Sequence, residues 1–432
     1  SQSSTTFIVD KTSPSISSIT PSWGDYLNAT EDDTDGTVII VTNGIEDDQT
    51  LTIRLNGTDY TGSVSSNSVT ITISAAKLQE LVNGTTYTIT ANVSDKAGNA
   101  ASQSSTTFIV DKTSPSISSI TPSWGDYLNA TEDDTDGTVT IVTNGIEDDQ
   151  NLTIRLNGTD YTGSVSSNSV TITISTAKLQ ELVDGTTYTI TANVSDKAGN
   201  AASQLSTTFI VDKTSPTITS ITPSWGDYLN ATEDDNDGTV TIVTNGIEND
   251  QNLTIRLNGT DYTGSVSSNS VTITISTAKL QELVDGTTYT ITANVSDKAG
   301  NAASQLSTTF IVDKTSPTIT SITPSWGNNL NATEYDNDGS IIVVTTGVDN
   351  NQTLTILLNN KNYTGLVNNN SVNITISKSD LQLLNEGTNT ITANVSDAAG
   401  NIASYLTTTF TVDTTIPSIN LLTIESNNKN KL

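Results

Sequence analysis

Acidic residues recur in four short loops of the sequence, and they are the side chains most able to do chemistry. Each loop reads NATEDD or NATEYD, and one residue later a further Asp and a Gly follow. Alternate acids before a turn glycine resemble Ca²⁺-binding loops, since Ca²⁺ takes about six to eight oxygen ligands. Pairs of carboxylates also hydrolyse glycosidic bonds. Cation binding and glycoside hydrolysis are therefore the two kinds of chemistry open to these loops.

The composition excludes most other chemistry. The chain has 432 residues and contains no Cys, no Met and no His. It therefore has no Ser-His-Asp triad, no Cys-His nucleophile, no zinc site of the usual kind and no disulfide. It carries 17 Lys and Arg against 47 Asp and Glu, a formal net charge of −30, which disfavours nucleic acid and anionic membranes as partners. Without a run of about 18 apolar residues, no membrane insertion is predicted.

An internal repeat sets the domain organisation. Trp occurs at positions 23, 124, 225 and 326, always 101 residues apart. We predict four tandem repeats, copies 1 to 4, at residues 13–113, 114–214, 215–315 and 316–414, each long enough to hold its own core. Residues 1–12 repeat residues 102–113, so we expect the last strand of a preceding repeat there. Residues 415–432 are expected to begin a further repeat or to form a tail.

Alternation of apolar residues with Thr or Ser predicts short strands throughout each copy. For copy 2 the strands are predicted at residues 116–120, 138–143, 151–156, 161–165, 169–175 and 187–195, with a last strand like that at 105–111. The only helical pattern is STAKLQELVDG, one or two turns long. Seven short strands in about 100 residues are typical of an immunoglobulin-like sandwich. The predicted fold class is all-β, with four tandem immunoglobulin-like β-sandwich domains in an elongated rod.

Four segments carry a resemblance to a known family: SITPSWGDYLNATEDD, LTIRLNGTDYTGSV, ANVSDKAGN and FIVDKTSP. They resemble the bacterial Ig-like repeats in the extender regions of large secreted RTX-type adhesins, in which DxAGN and then VDxTxP close each copy. The resemblance covers all four copies, although the WGDY segment departs from the commoner forms. It implies an extracellular or cell-surface extender with Ca²⁺ at its domain junctions and a structural role instead of catalysis.

Immunoglobulin-like topology predicts where the acids fall. The last strand of copy 1 leaves beside its AB loop (residues 28–35), and copy 2 begins beside its BC loop (145–150) and FG loop (195–201). Acids from these loops and from the linker, the VDKTSP segment at residues 110–115, would then meet at one junction. They are Glu31, Asp32, Asp33, Asp35, Asp111, Glu147, Asp148, Asp149 and Asp196. Like charges packed so closely repel and raise one another's pKa unless a cation intervenes.

We therefore expect Ca²⁺ at the junctions, and the diverged copy 4 indicates which acids matter. It keeps acidic or amide residues in the AB loop, the FG loop and the linker, whereas its BC run weakens from EDD to DNN. The alternative is that Asp and Asn only fill turns or keep the surface soluble. The predicted metal ligands are Glu31, Asp33, Asp35, Asp111, Asp196, Glu132, Asp134, Asp136, Asp212, Asp297, Glu233, Asp235, Asp237, Asp313 and Asp397.

Two other features have more than one interpretation. A solvent-facing Trp23 could stack on sugar rings, but one Trp per copy more often covers the end of a sandwich or a junction. A shared Lys–Asn isopeptide cross-link is rejected, because no lysine position occurs in all four copies. We expect the four basic residues of copy 2 to be solvated.

The leading hypothesis is a non-catalytic structural extender of a cell-surface or secreted adhesin. No enzyme is predicted, because the same acids recur at the ends of small sandwiches without a cleft. Its partners would be further Ig-like repeats of the same polypeptide or neighbouring subunits, and the adhesion ligand would bind elsewhere. The alternative is a subunit of an extracellular filament, in which residues 1–12 fill the last-strand slot of a neighbour.

Overall fold

The computed structural model describes residues 2–419, and each copy in it consists of two facing sheets. Strands form where apolar residues alternate with Thr and Ser, so that one face of each strand is buried. Copy 1 contains β1 (Ser15–Pro21), β2 (Tyr26–Leu27), β3 (Gly36–Asn43), β4 (Thr50–Leu55), β5 (Thr58–Ser63), β6 (Ser68–Ile73), α1 (Ala75–Gln79), β7 (Thr86–Asn92) and β8 (Ser104–Val110).

The other three copies repeat this order of elements. Copy 2 contains β9 (Ser116–Pro122), β10 (Tyr127–Leu128), a 3-10 turn (Glu132–Asp134), β11 (Gly137–Asn144), β12 (Asn151–Leu156), β13 (Thr159–Ser164), β14 (Ser169–Ile174), α2 (Thr176–Gln180), β15 (Thr187–Asn193) and β16 (Leu205–Val211). Copy 3 contains β17 (Thr217–Pro223), β18 (Tyr228–Leu229), β19 (Gly238–Asn245), β20 (Asn252–Leu257), β21 (Thr260–Ser265), β22 (Ser270–Ile275), α3 (Thr277–Gln281), β23 (Thr288–Asn294) and β24 (Leu306–Val312). Copy 4 contains β25 (Thr318–Pro324), β26 (Asn329–Asn331), α4 (Ala332–Tyr335), β27 (Gly339–Thr346), β28 (Thr353–Leu358), β29 (Lys361–Leu366), β30 (Ser371–Ile376), α5 (Lys378–Leu381), β31 (Gly387–Asn394) and β32 (Leu406–Asp413).

The sheet topology confirms the predicted immunoglobulin-like sandwich. In copy 2 a three-stranded sheet of order β9-β11-β14 faces a five-stranded sheet of order β10-β16-β15-β12-β13. All pairs are antiparallel except β10 with β16, where Tyr127 lies opposite Ile210. The two-residue strand β10 was not predicted, because it is too short to show an alternating pattern. The helical pattern forms a single short helix, α2.

Each copy has its own hydrophobic core between the two sheets. In copy 2, Trp124 is 6% exposed, and its ring lies edge-on to Phe209 with the centroids 5.2 Å apart. Gly137 leaves room for this ring, since a Cβ there would lie 2.5 Å from Trp124 Cζ3. The tryptophans are core residues of their own copies, so the interpretation of a solvent-facing, sugar-stacking Trp23 is wrong.

Contacts divide the chain into two compact units, Ser1–Thr214 with copies 1 and 2 and Ser215–Leu432 with copies 3 and 4. The exact bounds of the four domains stay a prediction. Residues 2–12 form no strand, and Phe7 and Ile8 are exposed, so the structure lends the filament alternative no support. Of the predicted tail, residues 420–432 lie outside the described residues. Within the described part, no helix has the length and apolar character needed to cross a membrane.

Candidate functional site

The FG loop is built around a buried acid. In copy 2, Asp196 is 4% exposed, and its two carboxylate oxygens accept from Asn200: Oδ1 from the backbone N–H at 2.8 Å and Oδ2 from Nδ2 at 3.0 Å. The same pair closes the loop in copy 1, where the hydrogen bond from the Asn99 side chain lowers the pKa of Asp95 against the effect of burial. A short loop bridge, Ser195 with Ala201, completes the turn.

The linker residue Asp111 is held from both sides. Its N–H donates to the carbonyl of Leu27 in copy 1 at 3.0 Å, and its carbonyl accepts from Nδ2 of Asn200 in copy 2 at 2.9 Å. Its carboxylate accepts from the N–H of Thr113 at 3.0 Å. In the second unit the carbonyl of Asp313 likewise accepts from Asn401 Nδ2, at 2.8 Å.

The AB loop of one copy touches the FG loop of the next within each unit. Asn28 donates from Nδ2 to the carbonyl of Ala198 at 2.9 Å, and the N–H of Ala29 donates to Asn200 Oδ1 at 3.2 Å. In the second unit the corresponding bonds run from Asn230 to Ala399 and from Ala231 to Asn401. The structure therefore brings together three of the four segments expected at a junction, the AB loop, the linker and the FG loop. The BC acids Glu147 and Asp148 accept from N–H groups of their own copy, those of Lys197 and Ser167.

The acids of the AB loop, however, serve their own copy. Glu31 Oε2 accepts from the N–H of Asn28, Asp33 from Nε2 of Gln79, and Asp35 from the N–H of Ala75 at the start of α1. The remaining predicted AB-loop ligands make the same bonds in copies 2 and 3: Glu132, Asp134, Asp136, Glu233, Asp235 and Asp237. Spacing along the chain could not reveal these donors, because Asp35 and Ala75 are 40 residues apart.

Helix capping lowers the pKa of two of these acids. Asp136 Oδ1 accepts from the N–H and the hydroxyl of Thr176, both at 2.8 Å. These two hydrogen bonds lower the pKa of Asp136, and the matching bonds from Thr277 lower the pKa of Asp237. Asp136 and Asp237 therefore stabilise the ends of short helices through their ionised forms.

One AB-loop acid is already neutralised by a lysine. Asp133 is buried, and its Oδ2 lies 2.5 Å from Nζ of the linker residue Lys213, whose side chain is 20% exposed. Lys213 also donates to the carbonyl of Leu182 at 3.0 Å. The expectation that all four basic residues of copy 2 are solvated is thus wrong for Lys213. In copy 1 the ammonium of Lys112 likewise pairs with Asp32, so Asp32 is not an uncompensated charge at the junction.

Sequence reasoning missed the residue that fixes the linker to its own copy. Asp184, in the turn between α2 and β15, accepts from the N–H of Lys213 at 2.7 Å and from the hydroxyl of Thr214 at 2.6 Å. These bonds, led by the hydroxyl of Thr214, lower the pKa of Asp184. The equivalent residues are Asn83, Asp285 and Glu386. The signal available in the sequence was an acid or amide at this turn in every copy.

In the second unit, several carboxylates lie near the carboxylate of the linker residue Asp313. Burial, together with the nearby carboxylates of Asp397, Asp285 and Asp349, raises the pKa of Asp313. An all-oxygen, negatively charged donor set of this kind suits a hard cation such as Ca²⁺. In the described residues, 2–419, no three Asp or Glu side chains lie close enough together to hold a metal as they stand. The two other predicted ligands are engaged locally, Asp212 with Thr214 and Asp297 with Asn301.

One family matches part of the chain. Residues 82–112 match a bacterial Ig-like domain. This stretch covers β7, β8 and the FG loop, and it recurs almost unchanged in copies 2 and 3. The match confirms the resemblance to bacterial Ig-like repeats. No curated protein matches the chain.

Several solved structures are similar to this chain. One is described as a Ca²⁺-stabilised adhesin that helps an Antarctic bacterium reach out and bind ice; it is 24% identical, with a TM-score of 0.35, covering 92% of this chain and 99% of that chain. A second concerns host cell surface retention of a 1.5-MDa bacterial ice-binding adhesin: 24% identity, TM-score 0.36, with 70% and 98% covered. A third is a tetra-tandem repeat in the extending region of a large adhesion protein: 18% identity, TM-score 0.31, with 92% and 99% covered.

Proposed function

We propose that this chain is a non-catalytic structural extender of an extracellular or cell-surface adhesin, a stiff row of tandem Ig-like domains. The observation that carries the proposal is the repeated contact between copies. Within each unit the AB loop, the linker and the FG loop are joined by the same hydrogen bonds. Because Asp111 is bonded to the copy on either side of it, the linker has little slack. Neighbouring domains joined in this way keep a fixed separation and resist bending at the linker.

Calcium at the junctions is part of the proposal. The linker and FG-loop acids, such as Asp313 and Asp397, would hold the ion together with backbone carbonyl oxygens. The AB-loop acids contribute less, since their hydrogen bonds hold them against their own copies, whereas Asp397 lies close enough to Asp313 for its charge to raise the pKa of that acid. A bound Ca²⁺ would neutralise the carboxylates that raise the pKa of Asp313. One of the similar solved structures is described as Ca²⁺-stabilised, in line with this proposal.

The geometry argues against glycoside hydrolysis. An open groove of about 410 Å³ lies beside β20 and β23, lined in part by Asp250 and Asp297. Both oxygens of Asp297 accept hydrogen bonds from Asn301, so this carboxylate is held as a structural acceptor. The groove is lined otherwise by small and amide side chains, without an aromatic platform for a sugar ring. The adhesion ligand is therefore expected to bind another part of the adhesin.

Thermal unfolding and small-angle scattering of the full chain, with Ca²⁺ or with a chelator, test this proposal. Ca²⁺ at about 100 times its Kd should stabilise each occupied junction by about 2.7 kcal/mol, because it binds only the folded site. The scattering profile should also indicate less bending with Ca²⁺ than with chelator. Mg²⁺ at equal concentration controls for screening, since it prefers smaller, octahedral sites. Identical melts and profiles in Ca²⁺, Mg²⁺ and chelator would exclude calcium junctions, and a flexible chain under all conditions would exclude the extender.

A further inference from the structure

The contact between copies 1 and 2 is centred on one buried amide. Asn200 is 6% exposed, and its Oδ1 accepts from the N–H of Ala29 in the preceding copy at 3.2 Å. Its Nδ2 donates to the linker carbonyl of Asp111 at 2.9 Å and to Asp196 Oδ2 at 3.0 Å. One side chain therefore binds the preceding domain, the linker and its own loop at once.

A second amide completes the contact from the other side. Asn28 donates from Nδ2 to the carbonyl of Ala198 at 2.9 Å. Its Oδ1 accepts from the N–H groups of Thr30 and Glu31, so this Asx turn fixes the direction of the amide. Gly199 allows the two loops to approach, since it has φ +91° and a Cβ there would lie 3.3 Å from Asn28 Nδ2.

The second unit repeats the arrangement in a diverged sequence. Asn401 accepts from Ala231 at 3.1 Å and donates to Asp313 at 2.8 Å and Asp397 at 3.1 Å, while Asn230 donates to Ala399 at 2.9 Å. Copy 4 has lost the FG-loop lysine and most of the BC acids, yet the amide bonds keep the same partners and nearly the same lengths. The contact therefore does not depend on those charges.

We propose that Asn200 and Asn401 are positioning residues, of which Asn200 fixes the orientation of copy 2 on copy 1 and Asn401 that of copy 4 on copy 3. We further propose that these hydrogen bonds, here called the amide lock, hold without a metal ion. The physical reason is that buried amides with satisfied hydrogen bonds are directional, and losing one leaves backbone groups of the preceding copy unpaired. The lock acts alongside the proposed calcium sites, but it uses neutral groups. Its test can therefore be run entirely in chelator, where a failure of the calcium proposal has no influence on the result.

The test measures the distance between copies 1 and 2 in the full chain. Because the protein contains no Cys, spin labels at T61C and T162C, both exposed positions, are specific. Pulsed electron paramagnetic resonance then gives the width of the distance distribution. In chelator, Asn200→Ala should broaden it about twofold, since domains without a fixed interface move freely. The matched control is Asn99→Ala, which removes the same side-chain hydrogen bond to the FG-loop acid, here Asp95. In the described structure Oδ1 of Asn99 accepts no hydrogen bond, so this variant removes no bond to Oδ1 from another copy.

A second variant protects the test against misfolding. Asn28→Asp keeps the oxygen that caps Thr30 and Glu31 but places an acceptor against the carbonyl of Ala198. Its control is Asn331→Asp, which makes the same change in the copy 4 cap. Broadening in Asn200→Ala and Asn28→Asp, but in neither control, supports the lock. An unchanged width in both, or equal broadening in variants and controls, overturns it.

Discussion

Nζ of Lys112 lies 2.5 Å from Oδ2 of Asp32, and copy 4 lacks both residues. The side chains are 20% and 7% exposed, so this ion pair is largely buried. At the corresponding positions copy 4 has Thr414 and Tyr335, and the hydroxyl of Tyr335 donates to the carbonyl of Gln382 at 2.9 Å. The linker lysine and the AB-loop acid thus form one structural unit, replaced in copy 4 by a neutral one.

Removing the lysine alone should destabilise copies 1 to 3. The variant K112T/K213T/K314T leaves three buried carboxylates unpaired, and we expect a loss of about 1–3 kcal/mol per copy, less than for a fully buried pair. Adding D32Y/D133Y/D234Y recreates the copy 4 combination and should recover most of the loss. Urea unfolding followed by tryptophan fluorescence measures both, because each copy has one buried Trp.

The matched control is the exposed pair formed by Lys77 and Glu80, with side chains 43% and 55% exposed. Replacing Lys77 and its equivalents Lys178 and Lys279 by Thr should change the unfolding free energy by less than about 1 kcal/mol per copy. Equal effects of the two sets of substitutions would show that the Lys112–Asp32 pair has no special role.

The strands could be predicted from the sequence because burial in a sandwich alternates with period two. The pattern TVTIVT, for example, places Val139 and Ile141 in the core and the half-buried Thr140 on the opposite face. The partners of the acids could not be predicted in this way. Asp32 and Lys112 are 80 positions apart in sequence, and which N–H or ammonium faces a carboxylate depends on loop paths. The change of both residues in copy 4 was the one signal that could have paired them.

Packing against the core tryptophan makes Gly137 intolerant of any side chain. A Cβ would lie 2.5 Å from Cζ3 and 2.9 Å from Cε3 of Trp124, a ring that the core holds in place. Gly137→Ala with the same change at Gly36, Gly238 and Gly339 should cost about 1–3 kcal/mol per copy through overpacking. Thermal unfolding by near-UV circular dichroism measures the loss. The control, Thr171→Ala on the exposed face of β14, should stay within about 0.5 kcal/mol.

Helix capping by Asp136 and Asp237 should make stability depend on pH in the acid range. Hydrogen bonds from Thr176 and Thr277 lower the pKa of these carboxyls in the folded state, so that state binds protons less readily than the unfolded chain. Their contribution is complete above the unfolded pKa of about 3.9 and is lost as the pH falls through the lower folded pKa. The variant D136N/D237N should therefore lose stability less steeply between about pH 4 and pH 2.

Melting temperatures measured from pH 7 to pH 2 check this expectation. The control is D134N/D235N, in which each lost carboxylate accepts, among the residues that the structure describes, a side-chain hydrogen bond from Gln180 or Gln281 and none from the backbone. This control should follow the acid dependence of the parent protein more closely. If D136N/D237N has the same acid profile as the parent, the caps do not act through their charge.

The linker acid of the second unit should behave in the opposite sense. Burial and the neighbouring carboxylates raise the pKa of Asp313, so its ionised form disfavours folding at neutral pH, and this penalty disappears as the pH falls through the folded pKa. In chelator at pH 7, Asp313→Asn should therefore stabilise the chain by up to about 1 kcal/mol, a partly exposed and screened contribution. In Ca²⁺ the same variant should show a smaller metal-induced rise in melting temperature, because it removes one of the ligands proposed above. The matched variant Asp413→Asn changes a linker acid whose pKa is lowered, chiefly by the hydroxyl of Thr415, so it should not stabilise the chain in chelator. A lower melting temperature for Asp313→Asn in chelator would show that carboxylate repulsion at this linker is not a net cost.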